Sequence, residues 1–251
     1  MGIDCVTFQR LVELAGREDV FVKRGLMLGR QVLRYQRRYR AQYKMTIDAS
    51  PFDLDIADFK EEGYAEPFFE KIGFGKVEAM DFSDFEGAQH VHDLNHPVPD
   101  DLRGKFDFIL DGGTIEHVFN TPAALTNVFD MLKPGGVFAS ANGMNGWMFH
   151  GLYQFNPELV YSFWERSAGC EVLRCCAMST NPRNKPIDLP DAAPLGRRLR
   201  RSKTFPEGRV YLYYEVRKPE GAKLTGPALQ SDYQARWDRA GSGAEPELEE
   251  A

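Results

Sequence analysis

Residues 106–136, FDFILDGGTIEHVFNTPAALTNVFDMLKPGG, decide how the rest of the chain is read. Phe106 to Asp111 form a short apolar run closed by an acid and two glycines, which predicts a buried strand. Thr121 to Gly136 carry apolar residues at helical spacing and close on Lys-Pro-Gly-Gly, a strong stop signal. Val137 to Gly143, VFASANG, predict the next strand. Strand, turn, helix and strand in about 35 residues make one crossover unit of a parallel sheet.

The same alternation extends outward. Upstream, residues 5–15 predict a helix and VKRGLML (22–28) a strand that runs into a turn at Gly29. RQVLRYQRRYRAQYKM (30–45) predicts a helix whose five arginines form a solvated face. The acidic, aromatic stretch 48–62 predicts a loop or lid, because Pro51 and its aspartates break regular structure. A helix ending at Gly73 and strands at KVEAMD (76–81) and QHVHDLN (89–95) follow. Downstream, NPELVYSFWERSAG (156–169) predicts a helix with Asn156 as N-cap and Gly169 as stop. CEVLRCCAMS (170–179) and RVYLYYEVRK (209–218) predict two late strands. The fold class is therefore α/β with a mostly parallel sheet, in one domain over 1–220 with insertions near 44–62 and 181–208. Residues 221–251 read as a C-terminal tail, partly disordered, ending in acidic GSGAEPELEEA. In such a sheet ligands bind beyond the carboxyl ends of the strands. Gly29, Asp81, Asp93, Asp111 to Gly113 and Ala141 to Asn145 lie there.

The 251 residues carry a formal net charge of −6, which gives no pull toward nucleic acid or an anionic membrane. No run of about 18 apolar residues is present, so no spanning helix is expected. Cys5, Cys170, Cys175 and Cys176 form no C-x-x-C pair and read as reduced thiols of a cytoplasmic protein. The expected partner is a small-molecule or sugar acceptor, with homodimerisation left open.

F-D-F-I, Glu116-His117-Val118 and Leu132 to Gly136, at this spacing, resemble the second half of class I S-adenosylmethionine-dependent methyltransferases. The resemblance covers about 20–175 and the closing strand near 209–217. It implies a Rossmann-like seven-stranded sheet with helices on both faces and a late antiparallel strand. It implies S-adenosyl-L-methionine as cofactor, with Gly29 beneath it and Asp81 and neighbouring Phe82 at the ribose. It places Asp93 and Leu94 at the adenine and Asp111, Gly112, Gly113 and His117 beside the methionine portion. A carboxylate at a strand end suits two vicinal hydroxyls. The departure is the first turn, where the family shows an acid followed by G-x-G and this chain shows Met27-Leu28-Gly29-Arg30-Gln31. Arg30 and Gln31 are then candidates for the methionyl carboxylate, and Asp53 or Asp55 for the ammonium group.

GMNGWMFHGLYQFNPE (143–158) joins aromatics to His150, Gln154 and Asn145 at a strand end, which suits a substrate pocket beside a sulfonium. Its HGLYQFNPE segment resembles superfamily members found near sugar and polysaccharide gene sets, and so implies biosynthesis. Methyl transfer to a hydroxyl needs positioning and a base. His150 and His117 are the candidate bases, with Tyr153 beside them. His90, His92 and His96 match no standard zinc spacing, so no metal is expected there. Basic GRRLRRSK (196–203) reads as a solvated flap. The leading reading is an O-methyltransferase. Alternatives keep the cofactor but release methylthioadenosine by cyclisation or aminocarboxypropyl transfer, or keep only a binding fold.

Overall fold

The computed structural model describes residues 2–59, 63–195 and 207–241. β1 (Gly2–Ile3) leads into α1 (Cys5–Ala15), where the Asp4 side chain caps the helix by accepting from the Thr7 N–H at 3.0 Å. β2 (Arg24–Leu28) follows, and its turn at Gly29 runs into β3 (Val32–Leu33). The helix expected from Arg30 starts later, as α2 (Arg40–Ala49). The reason is strand pairing: β3 sits between β1 and β4 (Gly63–Tyr64) in a small three-stranded sheet. α3 (Glu66–Lys71) and β5 (Lys76–Asp81) complete the interval between Gly29 and Asp81.

β6 (His90–Val91), β7 (Phe106–Asp111), α4 (Thr121–Met131) and β8 (Leu132–Asn145) come next. α4 stops at Met131, and Lys-Pro-Gly-Gly already belongs to the extended chain. α5 (Pro157–Leu159) continues as a wide helix through Val160–Ser167, and the Asn156 side chain accepts from the Glu158 N–H as the cap. β9 (Glu171–Ser179), β10 (Ile187–Asp188), β11 (Val210–Arg217) and α6 (Ser231–Gly241) end the described chain.

The large sheet has the order β10-β9-β11-β8-β7-β2-β5-β6. β6, β5, β2, β7 and β8 run parallel, and β11 lies antiparallel between β8 and β9. The seven expected strands are present, and two-residue β10 adds an eighth at the edge. Alternation along the strands feeds two cores. Leu26, Leu28 and Phe138 pack with α4 and α5 on one face. Met27, Phe108 and Ala139 pack with α1, α2 and α3 on the other. The chain order reverses between β2 and β7, which opens a crevice at their carboxyl ends.

Two segments differ from the sequence reading. Leu54 and Phe59 are buried in the second core, so 50–59 is packed structure and not a lid. Beyond 220, the Ser231 N–H donates to Glu158 at 2.7 Å and the Ser162 hydroxyl to the Leu229 carbonyl at 2.8 Å. The stretch read as a tail therefore packs on α5 at least to Ser231. Residues 196–206, which include all of GRRLRRSK, and the acidic end at 242–251 lie outside the described residues. No helix among the described residues is long and apolar enough to cross a membrane.

Candidate active site

The first turn is tight. Gly29 has φ +68°, its N–H donates to the Met80 carbonyl at 2.7 Å, and a Cβ there would lie 2.8 Å from Thr114 Oγ1. Only glycine fits such a position. Asp81 ends β5 beside it, with Oδ2 3.9 Å from where that Cβ would be. Asp81 Oδ1 accepts from the Phe82 N–H at 2.7 Å, and no Arg or Lys among the described residues pairs with the carboxylate. It is therefore open to outside donors. Asp93 holds the loop after β6: Oδ1 accepts from the N–H and side chain of Asn95, and Oδ2 meets His96 at 3.1 Å. The Asn95 bonds, with His96, keep its carboxyl below the usual carboxylate range. Leu94 is buried in the core, so only its backbone can face a ligand.

Four sequence expectations change here. Arg30 is already engaged: Nε donates to Glu66 at 2.7 Å, Nη1 to the Glu86 carbonyl, and the guanidinium lies 3.7 Å over the Tyr64 ring. Gln31 is buried, its Nε2 donating to the Leu28 carbonyl at 2.9 Å and its Oε1 left without a partner beside Gly112. Asp53 and Asp55 belong to the segment whose Pro51 and Phe52 touch Gly16 and Gly73, at the amino-terminal end of the strands. β3 and α2 carry the chain to that end before the segment begins. Asp111 points inward: Oδ1 accepts from the N–H groups of Gly113, Thr114 and Ile115, and Oδ2 from Ser140 and Asn142. Burial pushes its pKa up, and this donor shell opposes the push. Asp111 shapes the 112–117 turn, while Gly112 and Gly113 offer backbone at the crevice.

Glu116, His117 and His150 come together over β7 and β8. Glu116 is buried, and its Oε2 accepts from the Gly143 N–H at 2.6 Å. Its Oε1 lies 3.2 Å from His150 Nε2 and 3.8 Å from His117 Nε2. Burial, with the nearby Asp111 charge, pushes Glu116 up to about 7 against the Gly143 bond. Burial pushes both imidazoles down, and for His150 the His117 charge adds to it. Sequence reasoning quoted Glu116 but gave it no role. The available signal was an acid set between apolar residues in a strand-end turn.

His150 is positioned by Trp147, whose ring lies 4.8 Å away and whose Nε1 donates to the Val210 carbonyl at 2.9 Å. Two residues on, Phe149 holds φ +61°, a rare conformation for a bulky side chain, and is fully exposed. Phe82, Phe85, Phe119, Met148 and Leu152 are also exposed, all on loops at this edge of the sheet. They form an apolar rim around the crevice. The Tyr153 hydroxyl donates to the Phe119 carbonyl at 2.9 Å and so braces the rim.

The remaining candidates fall elsewhere. His90 meets Glu78, His92 the His96 carbonyl and His96 Asp93, so these three histidines serve three separate contacts. All four cysteines are free and buried, and burial pushes Cys5, Cys170 and Cys175 up to about 12 and Cys176 to about 11. They are inert thiols.

Residues 60–142 match a family described as a methyltransferase domain, which bears out the superfamily resemblance over that stretch. No curated protein matches the chain. Among solved structures, the N-methyltransferase NodS from Bradyrhizobium japonicum WM9 is 11% identical, with a TM-score of 0.45, over 84% of this chain and 94% of that one. The 1,6-didemethyltoxoflavin-N1-methyltransferase of Burkholderia thailandensis is 15% identical, with a TM-score of 0.45, over 86% and 80%. Similarity at this level carries no information on substrate.

Proposed function

We propose, from the premise that the chain is of the class I S-adenosylmethionine-dependent methyltransferase superfamily, that it methylates a small molecule or sugar at oxygen. The observation that supports this reading is one of position. Asp81, open to donors, and the Glu116–His117–His150 group stand on strand ends of one crevice, on either side of Gly29. Strands lie about 4.8 Å apart, so Glu116 and His117 past β7 and His150 past β8 lie two to three strand spacings from Asp81, on the order of 10–14 Å, the scale of a nucleoside with an acceptor beside it.

The residues fit the cofactor in part. Asp81 would accept from the ribose hydroxyls, and the backbone after Asp93 would meet the adenine. Gln31 Oε1, a buried acceptor without a partner, lies beside Gly29 and Gly112 in the altered first turn and suits an ammonium group. Bound there, S-adenosylmethionine supplies an electrophilic methyl group. Glu116, His117 and His150 would receive the acceptor hydroxyl, and the apolar rim would exclude water from it. One observation favours the non-catalytic reading: Gln31 fills the space between Gly29 and Gly112.

The test is calorimetry with S-adenosylmethionine on wild type and Asp81→Ala, followed by product analysis with an acceptor panel. Micromolar binding lost in Asp81→Ala, with S-adenosylhomocysteine as product, is the expected result. Methylthioadenosine as product overturns methyl transfer, and absence of binding in folded wild type overturns the enzyme.

A further inference from the structure

We propose that Glu116, His117 and His150 bind one divalent first-row transition ion. The three donor atoms lie within 4.8 Å of one another, with Glu116 Oε1 at 3.2 Å from His150 Nε2 and 3.8 Å from His117 Nε2. Bonds of about 2.0–2.2 Å at tetrahedral or octahedral angles put ligand atoms about 3–3.6 Å apart. A small rotation of His117 closes the set. Two imidazoles and one carboxylate, with positions left open, form the ligand set of catalytic zinc and of non-haem ferrous iron.

Three further features carry the assignment. A buried carboxylate needs a cation or a full set of donors. Among the described residues Glu116 pairs with no lysine or arginine, and its side chain has one backbone donor. That donor, the Gly143 N–H, holds Oε2 and leaves Oε1 facing the two imidazoles, the kind of outer support that orients a ligating carboxylate. The His117 and His150 side chains are 42% and 30% exposed, so the open positions would face the crevice. The Arg209 guanidinium, 4.7 Å over the Trp147 ring, works against a cation here, and the Glu116 charge offsets it.

The binding itself stands on this geometry alone. What the ion does rests on the methyl-transfer reading: it would hold the acceptor oxygen as a further ligand and lower the pKa of its hydroxyl so that the proton passes to water in the crevice, with both imidazoles serving as ligands. The experiment titrates the chelator-treated full chain with Zn²⁺ by calorimetry and with Co²⁺ by visible absorption. The expected result is one ion per chain, with Co²⁺ bands that lack a thiolate contribution. Glu116→Gln and His150→Asn should each weaken binding about tenfold or more, and His117→Asn with His150→Asn should abolish it. His92→Asn is the control and should leave binding unchanged. Circular dichroism of each variant separates a lost ligand from a lost fold, and Glu116→Gln keeps an acceptor for the Gly143 N–H. Absence of binding in folded wild type, or binding indifferent to these variants, overturns the proposal. Cofactor calorimetry on the same ion-free chain separates the two readings. Cofactor binding without ion binding sinks the ion site alone. Ion binding without cofactor binding sinks the methyl-transfer reading alone.

Discussion

Glu78 and Glu116 are both buried glutamates on the large sheet, and their surroundings have opposite effects. Glu78, on β5, receives Arg24 at 2.7 Å, His90 at 3.0 Å and Lys76. Burial alone would raise its pKa, but these donors outweigh burial and hold it at about 2. Glu116, past β7, has one backbone donor and two imidazoles that burial disfavours as cations, and stands at about 7. The first carboxylate is satisfied by its own protein and ties β2, β5 and β6 together. The second is left with an open side facing the crevice. A buried acid short of donors is costly, so its presence at a strand end points to a ligand that completes it.

Exchanging each acid for its amide should separate these roles most sharply. Glu116→Gln should lower turnover about 100-fold or more, because a displaced acceptor loses the alignment that methyl transfer needs. Its cofactor affinity, measured by calorimetry, should stay within about twofold. Glu78→Gln should leave turnover near wild type and lower unfolding free energy by about 1–3 kcal/mol in urea titrations, the usual cost of losing charged hydrogen bonds. Equal loss of turnover in both would erase the distinction.

Asp81 is a third case, a half-buried carboxylate with no basic partner among the described residues. Asp81→Ala should weaken S-adenosylmethionine binding about 30- to 150-fold, the equivalent of 2–3 kcal/mol from hydrogen bonds to a charged group. Stability should hardly change, because Asp81 accepts only from its neighbour's N–H.

The pH dependence of stability sharpens the contrast at Glu78. Its carboxyl lies below the ordinary value of 4.5 in the folded chain, at about 2. The stabilisation is therefore fully present above pH 4.5 and fades as pH falls toward about 2. For a side chain only 6% exposed, the shift corresponds to at most about 3 kcal/mol. In Glu78→Gln, the loss of urea stability between pH 5 and pH 2.5 should be shallower than in wild type by about that amount. Parallel curves would show that the three donors contribute nothing net.

Much of the architecture was legible because local signals agreed with tertiary packing. The apolar run 106–110, the Asn156 cap and the positive-φ glycines at Gly29 and Gly169 all stand where periodicity and turn chemistry predict. The helix read from Arg30 failed because Val32 and Leu33 pair with β1, a contact across 30 residues that no local pattern reveals. Of the candidate site, the strand-end rule singles out Gly29, Asp81 and the two histidines. It also singles out Arg30, Gln31 and Asp111, which make side-chain hydrogen bonds within the protein. Residue type and strand-end position show which groups can act, but only the fold shows which are already satisfied. Glu116 is the converse: its meaning lies in the scarcity of donors around it, and sequence does not display scarcity.

The smallest effect tests the comparison at the level of single partners. His90 is one of three groups on Glu78, and Arg24 and Lys76 remain when it is removed. His90→Ala should therefore cost no more than about 1 kcal/mol of stability and leave turnover near wild type. His150 is one of two imidazoles on Glu116, with no arginine or lysine among the described residues to stand in for it. His150→Ala should cost turnover at least about tenfold for a similarly small change in melting temperature. A large stability loss in His90→Ala would mean that the Glu78 group behaves as a network in which no partner is redundant. The two glutamates would then differ in how many partners they have but not in how much they depend on each one.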